Sequence, residues 1–376
     1  MTPRTTSLIA LALATSSLAA CGSSGAPAEP PLSEEALAAV TAHPGAPTRP
    51  LARAADDLFT LDGLGETRAL VVYHGGRLAL ERYAPGYDRN TRFVSWSMAK
   101  TVTAVLIGML VADGQLRLDA PAPVPRWQRT GDPRAEITLR HLLQMRSGLD
   151  HTEAGDPAWE SSEVRMLFLD GRDDMADFAT AQPLEAEPGA KFEYSSSTTV
   201  ILADIAARAL TDSKDPDMRR KAVADYLEAR LFGPLGMTSA VPEFDRAGTL
   251  IGGSLIHATA RDWARFGELL RNKGSYRGEQ LVPRAWVEEM VEPSPKSPQY
   301  GLQTWLNRPL PEGEEHPLFP DRAPHSAFSL IGHMGQYVFV SPSQKLTVVR
   351  LGHSDAEERK AMLQQLADVI ELYPET

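Results

Sequence analysis

Cysteine is nearly absent: Cys21 is the only one among 376 residues. A single cysteine forms no intramolecular disulfide and builds no Cys-based zinc or iron–sulfur site. Positive charge is in deficit, with 38 Lys and Arg against 49 Asp and Glu, a net charge of −11. A nucleic-acid binder needs a basic face to displace counterions, so that class is disfavoured. Beyond the N-terminus no apolar run approaches membrane-spanning length. The chain also lacks a Gly-x-Ser-x-Gly pentapeptide and a His-Glu-x-x-His zinc motif, and its nine histidines are scattered. Otherwise the composition is globular, 43% hydrophobic and 23% charged. The length suits two domains or one large compound one.

The one cysteine is placed informatively. Residues 1–20 carry Arg4, an apolar run over 8–14 and then small residues, the layout of a secretory signal. Leu18-Ala19-Ala20-Cys21 resembles the lipobox of bacterial lipoproteins. The resemblance implies cleavage behind Ala20, lipid on Cys21 and export to the cell envelope. Gly22 is not the aspartate of inner-membrane retention, so in a two-membrane bacterium it implies the outer membrane. Residues 21–50, rich in Ser, Gly, Ala and Pro, read as a flexible spacer with a short helix around 33–40. A globular domain is expected over 51–376.

Within that domain, 69–73 and 78–83 are strand-like and joined by the turn His74-Gly75-Gly76-Arg77. A helix over 97–112 follows, apolar on nearly every side and closed by Asp113-Gly114, so it is expected in a core. Residues 101–294 read as a helical half, with its clearest helices at 200–210 and 259–270. Strands return at 301–306, 336–341 and 346–351, and a last helix covers 356–372. The expected class is α/β (α+β): one antiparallel sheet built from both chain ends, flanked by helices, with an all-helical insert.

Ser97-Met98-Ala99-Lys100 opens the buried helix and places Ser97 and Lys100 one turn apart on one face. Burial favours a neutral lysine, which can take the serine proton and make it a nucleophile. The Ser97 N–H at a helix N-terminus can help hold an oxyanion. Glu193-Tyr194-Ser195-Ser196 puts Tyr194 on a loop at a helix entrance, where its hydroxyl can relay a proton. In Gly332-His333-Met334-Gly335-Gln336, Gly335 would let a substrate approach the strand, leaving the Gln336 N–H as a second oxyanion donor.

Together these three elements resemble the serine β-lactamase and penicillin-binding-protein superfamily, with its Ser-x-x-Lys, Tyr-x-Asn and Lys-Thr-Gly or His-x-Gly motifs. Phe93-Val94-Ser95-Trp96 and His141-Leu142-Leu143-Gln144-Met145-Arg146-Ser147-Gly148-Leu149 are similar to family segments. So are Phe232-Gly233-Pro234-Leu235-Gly236-Met237 and Ala260-Arg261-Asp262-Trp263-Ala264-Arg265-Phe266. The resemblance covers about 55–370 and is strongest to the class C-like branch of esterases, D-aminopeptidases and 6-aminohexanoate-oligomer hydrolases. Ser-Asp-Asn, part of the class A pattern, is absent.

The resemblance implies that Ser97 is acylated and that Lys100 and Tyr194 share the acid–base work. It implies an oxyanion hole of the Ser97 and Gln336 amides, with Ser196, His333 and Gly335 contacting substrate. Ser196 stands where the family has Asn, and His333 where it has Lys or His. The expected activity is hydrolysis of esters or small amides, with little β-lactamase activity. The alternatives are a D,D-carboxypeptidase or β-lactamase, and a silent envelope-binding domain. No metal or cofactor is implied; the partners implied are a small ester, amide or peptide substrate and, through lipid, a membrane.

Overall fold

The structure, a computed structural model, describes residues 31–311, 313 and 316–376. The signal peptide expected over residues 1–20, and Cys21, lie outside the described residues. Among the described residues no helix is long and apolar enough to cross a membrane.

The chain enters through α1 (Glu34–Ala38) and α2 (Thr48–Thr60). The hairpin of β1 (Glu66–His74) and β2 (Arg77–Tyr83) follows, then β3 (Arg92–Val94). The spacer expected over 21–50 is therefore packed structure from Ser33 onward. The Thr41 N–H donates to Ala79 O, and the Glu81 N–H donates to Ala39 O, so this segment lines the β2 edge.

Next come α3 (Ala99–Ala112), α4 (Ser162–Phe168), α5 (Ser196–Leu210), β4 (Ile256–Thr259) and α6 (Ala260–Arg271). The chain closes through β5 (Trp305–Leu306), β6 (Phe328–Gly332), β7 (Gln336–Ser341), β8 (Leu346–His353) and α7 (Ala356–Glu371). The main sheet has six strands in the order β2–β1–β8–β7–β6–β5, all antiparallel. Both chain ends meet where β1 pairs with β8.

The period-2 geometry of β1 sorts its side chains between two layers. Leu70 and Val72 join Leu51, Leu58, Leu366 and Ile370 of α2 and α7 on one face. Ala69 and Val71 join Trp263 and Phe266 of α6 on the other. Helices from the two chain ends thus cover a single face. The second face is covered by α6, which comes from the segment expected to form a separate helical half. Helix α3 is buried from Ala99 to Leu110, which explains an apolar surface on every side.

Candidate active site

Ser97 sits in a single 3₁₀ turn, Trp96–Met98, directly before α3. The preceding Trp96 holds φ 45°, a left-handed conformation uncommon for a bulky residue. It turns the chain from β3 into the helix and sets Ser97 on the floor of a cleft of about 380 Å³. Ser97, Glu153, Glu163, Tyr194, His333 and Arg359 line it, with apolar walls from Trp96, Leu167, Phe168, Trp305 and Ile331.

Lys100, one turn on, is 1% exposed and uses all three ammonium donors. Its Nζ donates to Ser97 Oγ at 2.9 Å, Ser196 Oγ at 2.8 Å and Gly253 O at 2.9 Å. Glu153 Oε1 is 3.6 Å from the same nitrogen. Burial alone would lower the Lys100 pKa, as expected from the sequence. The Tyr194 hydroxyl and the Glu153 and Glu163 carboxylates outweigh it and raise the pKa. Lys100 is an ammonium in the resting site, which corrects the neutral base read from the sequence.

Tyr194 enters the cleft immediately before α5, whose N-cap is Ser195. Its ring lies 5.2 Å from Trp305 and 5.8 Å from Tyr300, and Lys100 Nζ stands 4.8 Å from its centroid. Burial raises its pKa above the ordinary phenol value, against the opposing charge of Lys100 and the hydrogen bonds of Ser97 and Lys100. The Gln144-Met145-Arg146 segment supports it from behind. The Glu193 N–H donates to Met145 O, and Arg146 spans Gln144 Oε1 and Gly189 O.

The structure brings Ser97, Lys100, Tyr194, Ser196 and His333 together. His333 meets Trp96 edge-on, 5.5 Å between centroids, and is held neutral by burial together with Arg359 and His353. Two of the expected residues do not line this cleft. Gln336 lines a different cavity, on the far side of Trp96 and His333. Its side chain is spent inside the sheet, donating to the His333, Met334 and Gly352 carbonyls and accepting from the Gly352 N–H. Gly335 is a turn glycine at φ 79°, whose missing Cβ would stand 2.7 Å from Arg350 Nη1, not against the cleft. The close approach to the nucleophile turn belongs to Gly332, where a Cβ would lie 2.3 Å from Ser95 O.

Glu153 and Glu163 were not read from the sequence. The Ser196 N–H donates to Glu153 Oε2 at 2.6 Å. Ser196 Oγ lies 2.7 Å from Glu153 Oε1 and 3.1 Å from Glu163 Oε1. Glu163 has the local signature of an ordinary first-turn acid in a helix capped by Ser161. Glu153 lies in a loop without a motif. Arg359 and Gly253 were missed for the same reason. Among the described residues no group of three or more His, Cys, Asp or Glu is placed to hold a metal ion.

The family profile described as Beta-lactamase matches residues 66–371. A 6-aminohexanoate-dimer hydrolase of Paenarthrobacter ureafaciens is 27% identical over 234 residues, 60% of this chain and 57% of that enzyme. The chain thus spans little more than half the length of that curated relative. A Bacillus anthracis structure described as a 6-aminohexanoate-dimer hydrolase is 25% identical with a TM-score of 0.64, covering 82% of this chain and 81% of that one. A family VIII carboxylesterase shares the fold at 15% identity and a TM-score of 0.58, covering 84% and 97%. The profile match spans most of the chain and all of the cleft residues, so this protein belongs to the beta-lactamase family.

Proposed function

We propose that the protein hydrolyses carboxylic esters and small amides through an acyl-enzyme on Ser97. The observation that carries this reading is the 2.9 Å bond between Lys100 Nζ and Ser97 Oγ, at the floor of a cleft walled by apolar side chains. Tyr194, neutral at physiological pH, is the acid that protonates the leaving group. The Ser97 N–H, in the first turn of its helix, is one oxyanion donor. The second is the N–H of His333, because β6 beyond its pairing with Trp305 runs along the Ser97 cleft and Gln336 does not. Neutral His333 gives no fixed cation for a substrate carboxylate at the third motif, which favours neutral esters over β-lactams there.

A second reading has its own support. Arg359 on one wall and Glu153 with Glu163 on another give the cleft opposite charges at separate points. That arrangement suits a short linear amide with charged ends, in keeping with the hydrolase of the 6-aminohexanoate dimer found among the relatives. One panel separates the readings: p-nitrophenyl butyrate, a linear amide oligomer and a chromogenic cephalosporin, each with wild type and Ser97→Ala. Ester or amide turnover that Ser97→Ala abolishes supports the proposal. Faster turnover of the cephalosporin than of the ester contradicts it.

We also propose, from the lipobox resemblance, that lipid on Cys21 tethers the domain to a membrane of the cell envelope.

A further inference from the structure

Ser196 Oγ has three polar neighbours and a fixed number of protons. Lys100 Nζ stands 2.8 Å away, Glu153 Oε1 2.7 Å and Glu163 Oε1 3.1 Å. A hydroxyl donates once and accepts at two lone pairs, whereas an ammonium only donates. Lys100 fills one lone pair. The Ser196 proton goes to one carboxylate, and the shorter contact assigns it to Glu153. Glu163 then meets the second lone pair, which repels a carboxylate oxygen but accepts from a carboxylic acid. One proton on Glu163 completes the count. The Ser196 N–H on Glu153 Oε2 keeps Glu153 as the charged member.

We propose that Glu153 and Glu163 hold one proton between them across Ser196 Oγ, and that the ionised pair takes up, through Ser196 and Lys100, the proton Ser97 loses on acylation. This rests on the reading of Ser97 as the nucleophile. As the Ser97 Oγ–carbon bond forms, the carbonyl π electrons move to oxygen. Lys100 hands a proton to Ser196 Oγ and receives the Ser97 proton. Ser196 passes its own proton to the carboxylate pair. Lys100 and Ser196 end unchanged, the pair is one proton richer, and the oxyanion carries the negative charge. When the oxyanion collapses and the substrate bond breaks, the leaving group takes a proton from Tyr194. The proton held by the pair returns along the same path to restore the tyrosine. An Asn at position 196 would offer an amide, which does not relay protons in this way; the serine hydroxyl does.

The surroundings agree. Burial first, and then the Glu153 charge, push Glu163 up to about 7, against the charge of Lys100. Lys100 faces the pair from α3, Tyr194 and Ser196 from the start of α5, and His333 and Arg359 from across the cleft. The charged groups nearby on packed elements are engaged elsewhere: Arg165 with Asp170, Asp177 with Arg126, and Asp204 with Arg208 and Arg219.

Glu163→Gln tests the proposal, because its amide N–H donates to Ser196 as the protonated acid does. Wild-type kcat/KM for p-nitrophenyl butyrate is expected to rise as pH increases through about 7, where Glu163 ionises. Glu163→Gln is expected to lose that rise and to stay about tenfold or more below wild type on its alkaline side. An unchanged rise in the variant overturns the relay. Infrared spectroscopy reads the shared proton without turnover: a protonated-carboxyl C=O band should vanish as wild type passes pH of about 7 and be missing in Glu163→Gln. Absence of that band in wild type overturns the shared proton. If the band is present but wild type acylates no ester, the reading of Ser97 fails instead.

Discussion

Lys100 carries charge at rest because three acceptors and a carboxylate surround it, although it is buried. Burial was legible from an apolar helix; the sign of the pKa shift was not, because the Glu153 and Glu163 carboxylates that help set it lie 53 and 63 residues away in sequence. His333 shows the converse, since its position in the third motif was legible from local sequence alone. His333→Lys places a fixed cation at the cleft edge. Its kcat/KM on a cephalosporin, relative to p-nitrophenyl butyrate, is expected to rise by about one decade, the worth of a charge-assisted hydrogen bond. No change in that ratio would show that position 333 does not meet the substrate carboxylate. His151 makes a stability prediction. It is buried between Thr198 Oγ1 and Ala179 O, and burial lowers its pKa from 6.5 to about 4. Between those values the unfolded chain binds the proton that the folded chain refuses, so stability falls as pH falls. The loss should reach about 3 kcal/mol. In urea titrations across that window, His151→Gln should lack this component; an unchanged acid slope would contradict it.

At the scale of elements, the strands carrying β-branched runs were the most legible. β7 occupies the expected 336–341, and β8 extends its expected span by only two residues. The strand expected over 301–306 contracts to Trp305–Leu306. Gln303, at φ 53°, turns the chain there, and its side chain donates to the Leu142 and Leu143 carbonyls. The first three residues of helix α2, Thr48–Pro50, were read as spacer because they lie among prolines, yet a proline in the first helical turn costs no hydrogen bond. The glycines of the third motif were legible as a set, but not which one packs on Ser95, ahead of the nucleophile turn; that depends on how β6 crosses the turn. Gly332→Ala would drive a methyl into Ser95 O and displace β6 from Ser97. A displacement of about an ångström is expected to lower kcat/KM about a hundredfold. Circular dichroism should show the fold retained. Full activity in Gly332→Ala would place the oxyanion donor elsewhere.

For the whole molecule, the joining of both chain ends in one sheet followed from strand signals at each end. The covering of its second face by α6 did not, because amphipathicity tells that a helix packs and not against what. The carboxylate pair was hidden for a related reason: residues 153, 163 and 196 meet only once three separate segments have packed. The proposed tether belongs to this scale too. Cys21→Ala should leave the membrane fraction for the soluble fraction on cell fractionation. Retention equal to wild type would remove the lipid proposal. The proposed chemistry turns on one serine in a chain that holds many. Intact-mass spectrometry after treatment with a fluorophosphonate tests it directly. Wild type is expected to gain a single adduct, which peptide mapping assigns to Ser97, and Ser97→Ala is expected to gain none. An adduct on Ser97→Ala equal to that on wild type would contradict the account.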